Sequence, residues 1–170
     1  LSILKNNYRD GYDYFSDRRS FRMLGEPGII MADYGVEPRS IMQMGYSPET
    51  MTGFEYALAT SLIYEGKINE AVKVFKDVRS RFDGVKRSPF HEAEAGYHYS
   101  RAMASWSAIP ALSGFHYSAV GKTISFTSEP GTYFWSNGYA WGTCAIDGDK
   151  VELKVLSGEI KIEKFILDRV

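Results

Sequence analysis

At Gly114 the hydrophobic period of the chain changes. Before it, apolar residues recur every three or four positions, and after it they recur every second position. Those two periods belong to helix and strand, so the chain has to fold as helices followed by a sheet. Ahead of Gly114, three segments carry the helical period. Thr52 to Glu65 is apolar on nearly every side, through Phe54, Tyr56, Ala57, Leu58, Ala59, Leu62, Ile63 and Tyr64, and ends at Gly66. Such a helix is expected to be buried all round. The next helix places Ile68, Ala71, Val72, Phe75, Val78 and Phe82 on one face, with Lys73, Lys76, Asp77 and Ser80 on the other. It reads as a surface helix. A third, about Glu94 to Leu112, is again largely apolar, with Pro110 kinking or shortening it.

Buried, surface, buried is the order a double-layered helical barrel would produce. The expectation is therefore a mainly α chain, with residues 1–116 forming helices and loops and 117–170 an antiparallel β tail. Leu1 to Arg9 reads as helix, and the stretch from there to Pro48 as loops and turns, broken by Gly11, Gly25, Pro27, Gly28, Gly35, Pro38 and Gly45. In the tail, Lys122–Thr127, Thr132–Trp135, Tyr139–Ile146, Lys150–Leu156 and Glu159–Leu167 read as strands. Ser157-Gly158 reads as a hairpin turn joining the last two antiparallel.

The 170 residues hold 20 Lys+Arg and 21 Asp+Glu, a net charge of −1, with no dense basic cluster. Duplex nucleic acid is set aside as a partner, because phosphate binding needs concentrated cations. A single cysteine, Cys144, excludes an internal disulfide and a Cys-rich zinc module. The most apolar run, Ala102–Leu112, falls well short of the ~18 residues a transmembrane helix needs. No transmembrane segment is expected. The opening Leu1-Ser-Ile-Leu-Lys-Asn-Asn lacks the charged-then-apolar form of a signal sequence, and the chain is expected to be a piece of a longer one.

Polar chemistry concentrates in Ser88-Pro-Phe-His-Glu-Ala-Glu-Ala-Gly-Tyr-His-Tyr-Ser-Arg101. Charges at the start of an apolar helix need a reason. On a helix, Glu94, His98 and Arg101 share one face and would form a buried ion-pair network. A zinc site is the first alternative, but Ala95 stands where HExxH requires its second histidine. Glu92 and Glu94 as glycosidase acid and nucleophile is another, but two residues apart they do not pair on a helix. The third is recognition: a carboxylate accepts from sugar hydroxyls and a guanidinium donates in a fixed fork, which makes Glu92 with Arg101 a monosaccharide clamp. As parts of one helix they would lie ~13 Å apart on opposite sides, so the clamp requires Glu92 in the loop after Pro89. No nucleophile triad or Gly-rich phosphate loop is legible. Cys144 lies in a strand and reads as packing. Tyr133, Phe134, Trp135, Tyr139 and Trp141 are either a sugar-stacking surface or, as clustered strand aromatics more often are, core.

The same residues carry a family resemblance. Glu49-Thr-Met-Thr-Gly-Phe-Glu-Tyr56, Tyr64-Glu-Gly66, Val78-Arg-Ser-Arg-Phe-Asp-Gly84, the run from Ser88 to Trp106, Ala111-Leu-Ser-Gly-Phe115 and Gly142-Thr143 resemble bacterial members of glycoside hydrolase family 116. These are β-glucosidases and non-lysosomal glucosylceramidases. The resemblance runs from about Asn6 to Leu167. It implies the C-terminal part of a catalytic domain built as an (α/α)6 barrel, incomplete on its own, with its β tail. It also implies a retaining β-glycosidase whose nucleophile Glu and acid/base Asp lie upstream, so that no catalytic carboxylate falls in this segment and the chain alone is inactive. Glu92 and Arg101 match the pair that holds the nonreducing glucose in the −1 subsite. Glu49, Glu94 and His98 would support them. The chain departs from the family at Ser88, Phe90, His91, Ala93, Ala95 and Met51, which leaves the pair intact. The implied partners are a β-glucoside or related carbohydrate and the N-terminal part of the same enzyme, with no cofactor and no metal. A noncatalytic carbohydrate-binding or scaffold protein of the same fold is the alternative.

Overall fold

A computed structural model describes residues 2–11, 23–33, 45–90 and 99–168. These fall into two compact units, Leu1–Leu62 with Ile68–Ser105, and Ile63–Lys67 with Trp106–Val170.

In the first unit a short helix α1 (Ser2–Asn7) leads into strand β1 (Tyr8–Arg9), which pairs antiparallel with β2 (Gly28–Ile29). Residues 30–32 then run beside 47–50, through the Ile30–Thr50 bridge and bonds from the N–H of Met31 to the Glu49 carbonyl and of Ala32 to the Ser47 carbonyl. Helix α2 (Thr52–Tyr64) follows, and then α3 (Ile68–Arg81). The surface-helix reading of α3 holds at Ala71, Val78 and Phe82, which are buried, but Ile68 and Val72 of the expected face are exposed, and Val74 and Arg81, which lay outside it, are buried. Tyr56, Val78 and Phe82 form the core here, with Phe75 and Ala104 packed against them. Tyr56 and Phe75 stack at 5.4 Å between ring centroids.

The expected third helix differs in kind. Its first part, Glu94 to His98, lies outside the described residues, and the remainder is a 3-10 helix (Ser100–Ser107) passing into a six-residue α4 (Ala108–Ser113). Pro110 falls within the first turn of α4, where its missing N–H has no intrahelical role. Gly114 ends the helix at φ 62°, its N–H bonded to the Ala111 carbonyl and that of Phe115 to the Pro110 carbonyl. The αL geometry and the nearness of the Thr127 backbone leave no room for a side chain at 114.

The second unit is a pair of three-stranded sheets. β3 (His116–Ser118), β4 (Thr123–Thr127) and β8 (Lys164–Asp168) form one, and β5 (Gly131–Ser136), β6 (Trp141–Asp147) and β7 (Lys150–Ser157) the other. Ile124, Phe126, Trp135, Ala140, Cys144 and Ile146 form their common core, with Phe115, Tyr117, Tyr133, Leu153, Ile160, Ile162 and Phe165 around it.

Two expectations are overturned. The described residues are 34% helical and 29% strand in three small sheets with four α-helices, so the protein is mixed rather than mainly α. Among the described residues the strands form sheets, and the helices do not form a partial (α/α)6 barrel. The alternation of greasy and amphipathic helices misled because α2 is wet on one side, with Phe54, Ala57, Ser61 and Tyr64 exposed. The tail is not purely antiparallel either. β7 pairs with β6, whereas β8 pairs parallel with β4, from Thr123–Lys164 to Thr127–Asp168. Ser157-Gly158 is thus the exit from one sheet to the other, and Glu159–Glu163 is the crossover that brings Ile160 and Ile162 to the core.

Candidate functional site

The residues leading to the Ser88–Arg101 run are fixed by two Arg–Glu pairs. Glu55, in the first turn of α2, and Arg81, in the last turn of α3, are both almost fully buried and bonded through two guanidinium nitrogens. The Glu55 carboxylate also accepts from the Ile29 N–H at 2.9 Å, and Arg81 Nη1 donates to the Pro27 carbonyl at 2.7 Å. The two side chains are thus bonded to each other and to the backbone at Pro27 and Ile29, at and just before β2. One turn on, Arg87 grips the carboxylate of buried Glu26 and donates to the Arg81 carbonyl at 2.9 Å, with its guanidinium 5.5 Å from the Phe82 ring. Between the pairs, Asp83 Oδ1 accepts from the N–H groups of Val85 and Lys86, and these bonds hold its carboxyl below the usual carboxylate range. Segment 82–86 is thus held between anchored Arg81 and Arg87, and the chain beyond it leads to an exposed Phe90.

Glu92, Glu94 and His98 lie outside the described residues. Arg101 is the second residue of the 3-10 helix and half-buried. Its guanidinium lies over the Tyr99 ring, 4.1 Å from the centroid. Its stem runs against Gly53 of α2: a Cβ at 53 would meet Arg101 Cβ, Cδ and Cγ at 3.2, 3.3 and 3.4 Å. The absent side chain at Gly53 is what lets the arginine lie there. A guanidinium held in this way keeps a fixed fork geometry, of the kind that matches a hydroxyl or carboxylate.

Glu49 is in a different setting. It is buried, its Oε1 accepting the Thr50 N–H at 2.9 Å, its own N–H bonded to the Tyr46 carbonyl and its carbonyl to the Met31 N–H. These bonds hold the turn entering α2. Tyr46, at φ 68°, takes the left-handed conformation that non-glycine residues adopt rarely.

Sequence reasoning missed the Glu55–Arg81 and Glu26–Arg87 pairs. Only Arg81 left a trace, sitting three residues after Val78 on the apolar face of α3. Cys144 is buried in the second unit and its thiol is pushed up to about 11 by burial, so it is no nucleophile near neutral pH. Among the described residues, no three His, Cys, Asp or Glu side chains gather as metal ligands, and no helix is long and apolar enough to cross a membrane.

Comparison with protein-family models gives no match, and comparison with curated proteins gives none either.

Proposed function

We propose that this chain is the sugar-gripping segment of a retaining β-glycosidase acting on β-glucosides, with Glu92 and Arg101 holding the hydroxyls of the nonreducing glucose in the −1 subsite. The catalytic carboxylates would come from the rest of a longer enzyme. The reading rests on side chains and their order along the chain, not on a helical-barrel architecture. The observation that supports it best is the posture of Arg101. The Tyr99 ring lies against its guanidinium and Gly53 lies against its stem, so the fork is held at a fixed place beside the start of α2.

A charge-assisted hydrogen bond from this guanidinium to a sugar hydroxyl contributes about 1.5 to 3 kcal/mol. It contributes to rate as well as affinity if the bond strengthens as the ring distorts toward the oxocarbenium ion. The test is turnover of an aryl β-D-glucoside by the intact enzyme, comparing wild type with Arg101→Ala and Glu92→Gln at matched folded content. Each variant is expected to lose at least tenfold in kcat/KM, which is about 1.4 kcal/mol. A wild type silent toward glucosides, xylosides and galactosides alike would sink the enzymatic reading and leave a noncatalytic carbohydrate-binding or scaffold protein in its place.

A further inference from the structure

The strand aromatics divide by face. Tyr133 and Trp135 point into the core of the second unit, where Phe115 lies 6.4 Å from the Trp135 ring. Phe134 and Trp141 point outward from the same sheet and are 51% and 45% exposed. Phe134 pairs with Thr143 and Trp141 with Ser136, so the two rings are diagonal neighbours, their centroids 6.4 Å apart and their planes 37° from each other. Tyr139, in the connection between these strands, is 90% exposed.

This arrangement is built in. The register between β6 and β7 shifts at Trp141/Gly142, where Trp141 pairs with Ser157 and Gly142 with Val155, so the extra residue, Leu156, is on β7 and Trp141 keeps its place beside Ser136. Gly142 permits the shift, since a Cβ there would meet the Lys154 carbonyl oxygen at 1.9 Å and the Trp135 ring at 3.1 Å. The Asn137 side chain accepts the N–H groups of Tyr139 and Ala140 at 2.9 and 2.8 Å, which fixes the turn that carries Tyr139. The rings are therefore held before any ligand arrives, which lowers the entropic cost of binding.

The surroundings of the rings decide the ligand's chemistry. Thr132, Ser136 and Thr143 share their face and supply hydroxyls, and Glu152 and Lys154 on the neighbouring strand neutralise each other at 3.1 Å. A face with rings, hydroxyls and balanced charge complements a neutral, hydroxyl-rich partner with apolar C–H faces. It does not complement a phosphorylated or acidic one. We propose that Phe134, Trp141 and Tyr139 form a stacking site for a neutral, soluble glycan chain. The tilt between the rings follows a twisted single chain rather than a flat crystalline surface. This site is separate from Arg101 and does not depend on the glycosidase reading.

The test is mobility of the intact protein in native gels containing a soluble mixed-linkage β-glucan, with the melting temperature of each variant recorded. Wild type is expected to be retarded and Trp141→Ala and Phe134→Ala to lose at least fivefold in apparent affinity. Trp141→Phe, which keeps a ring, should retain most of it. Trp141→Ala should leave aryl glucoside turnover unchanged, and Arg101→Ala should leave the gel retardation in place, so the two proposals fail separately. Wild type that runs unretarded overturns the inference. So does retardation equal in all variants. A dimer that becomes a monomer in Trp141→Ala, without glucan retardation in wild type, also overturns it and assigns the face to contact between copies.

Discussion

Arg101 depends on a residue that carries no chemistry of its own. A Cβ at position 53 would lie 3.2 to 3.4 Å from three carbons of the arginine stem, so a methyl there must push the stem aside by a few tenths of an ångström. Near the start of a helix alanine is otherwise favoured over glycine, by up to about 1 kcal/mol. Gly53→Ala is therefore expected to leave the melting temperature unchanged or raised while cutting kcat/KM toward an aryl glucoside several-fold, because misplacement of a positioning group is costly to the reaction. Unchanged turnover in a folded Gly53→Ala enzyme would mean that the stem's path against α2 is irrelevant to function. Sequence pattern reached Arg101, because a charged residue in an apolar run demands a partner or a ligand. It could not reach Gly53, since a glycine needed for close approach looks like any other glycine until the approaching side chain is placed. Glu49 was reached by its motif, and its carboxylate proves engaged with the Thr50 N–H at the entry to α2.

At the scale of elements, the first unit is tied together where α2, α3 and β2 meet at Glu55 and Arg81. Burying two opposite charges is costly, and their removal together is often tolerated. Removal of one leaves an uncompensated buried charge and costs about 3 to 5 kcal/mol. Arg81→Met is thus expected to lower stability to urea by about that much, and Glu55→Leu with Arg81→Met by less than Arg81→Met alone. If Arg81→Met costs under about 1 kcal/mol, the pair does not hold the unit. The face of α3 was legible in part, at Ala71 and Val78, while buried Val74 fell outside it and Ile68 and Val72, placed on it, are exposed. Arg81 was not legible, since a charge on that face reads as an edge until its acceptors, the Glu55 carboxylate and the Pro27 carbonyl, are known. The strands β4 to β7 were likewise legible from alternation. The parallel partnership of β8 with β4 was not, because alternation records which face is buried and is silent on which strand lies alongside. β3, three residues long, is too short to show a period.

For the molecule as a whole, apolar period placed β4 to β7 after the long helices but missed the β1–β2 pair ahead of them and the balance between helix and strand, and the barrel expectation failed on what surrounds the helices. An all-round apolar helix is stable when all sides are covered. In α2, Phe54 and Tyr64 are each 59% exposed, on a stripe with Ala57 and Ser61. Met103 and Trp106 of the 3-10 helix are 68% and 72% exposed, and Ile109 and Leu112 of α4 are also open to solvent. Large apolar side chains in such number mark surfaces that bind something. Water around them is released when they are covered, at roughly 25 cal/mol per Å² of apolar area. The chain expressed by itself is therefore expected to self-associate at micromolar concentration, with a weight-average mass in sedimentation that rises with loading. Its melting temperature should rise with concentration, since association stabilises the folded state by mass action. Phe54→Ser combined with Trp106→Ser should shift both toward monomer behaviour without unfolding the protein, because neither side chain contributes much buried area. A sharp melt of a monomer at a temperature independent of concentration would contradict this and mean that these side chains are tolerated in water as they stand.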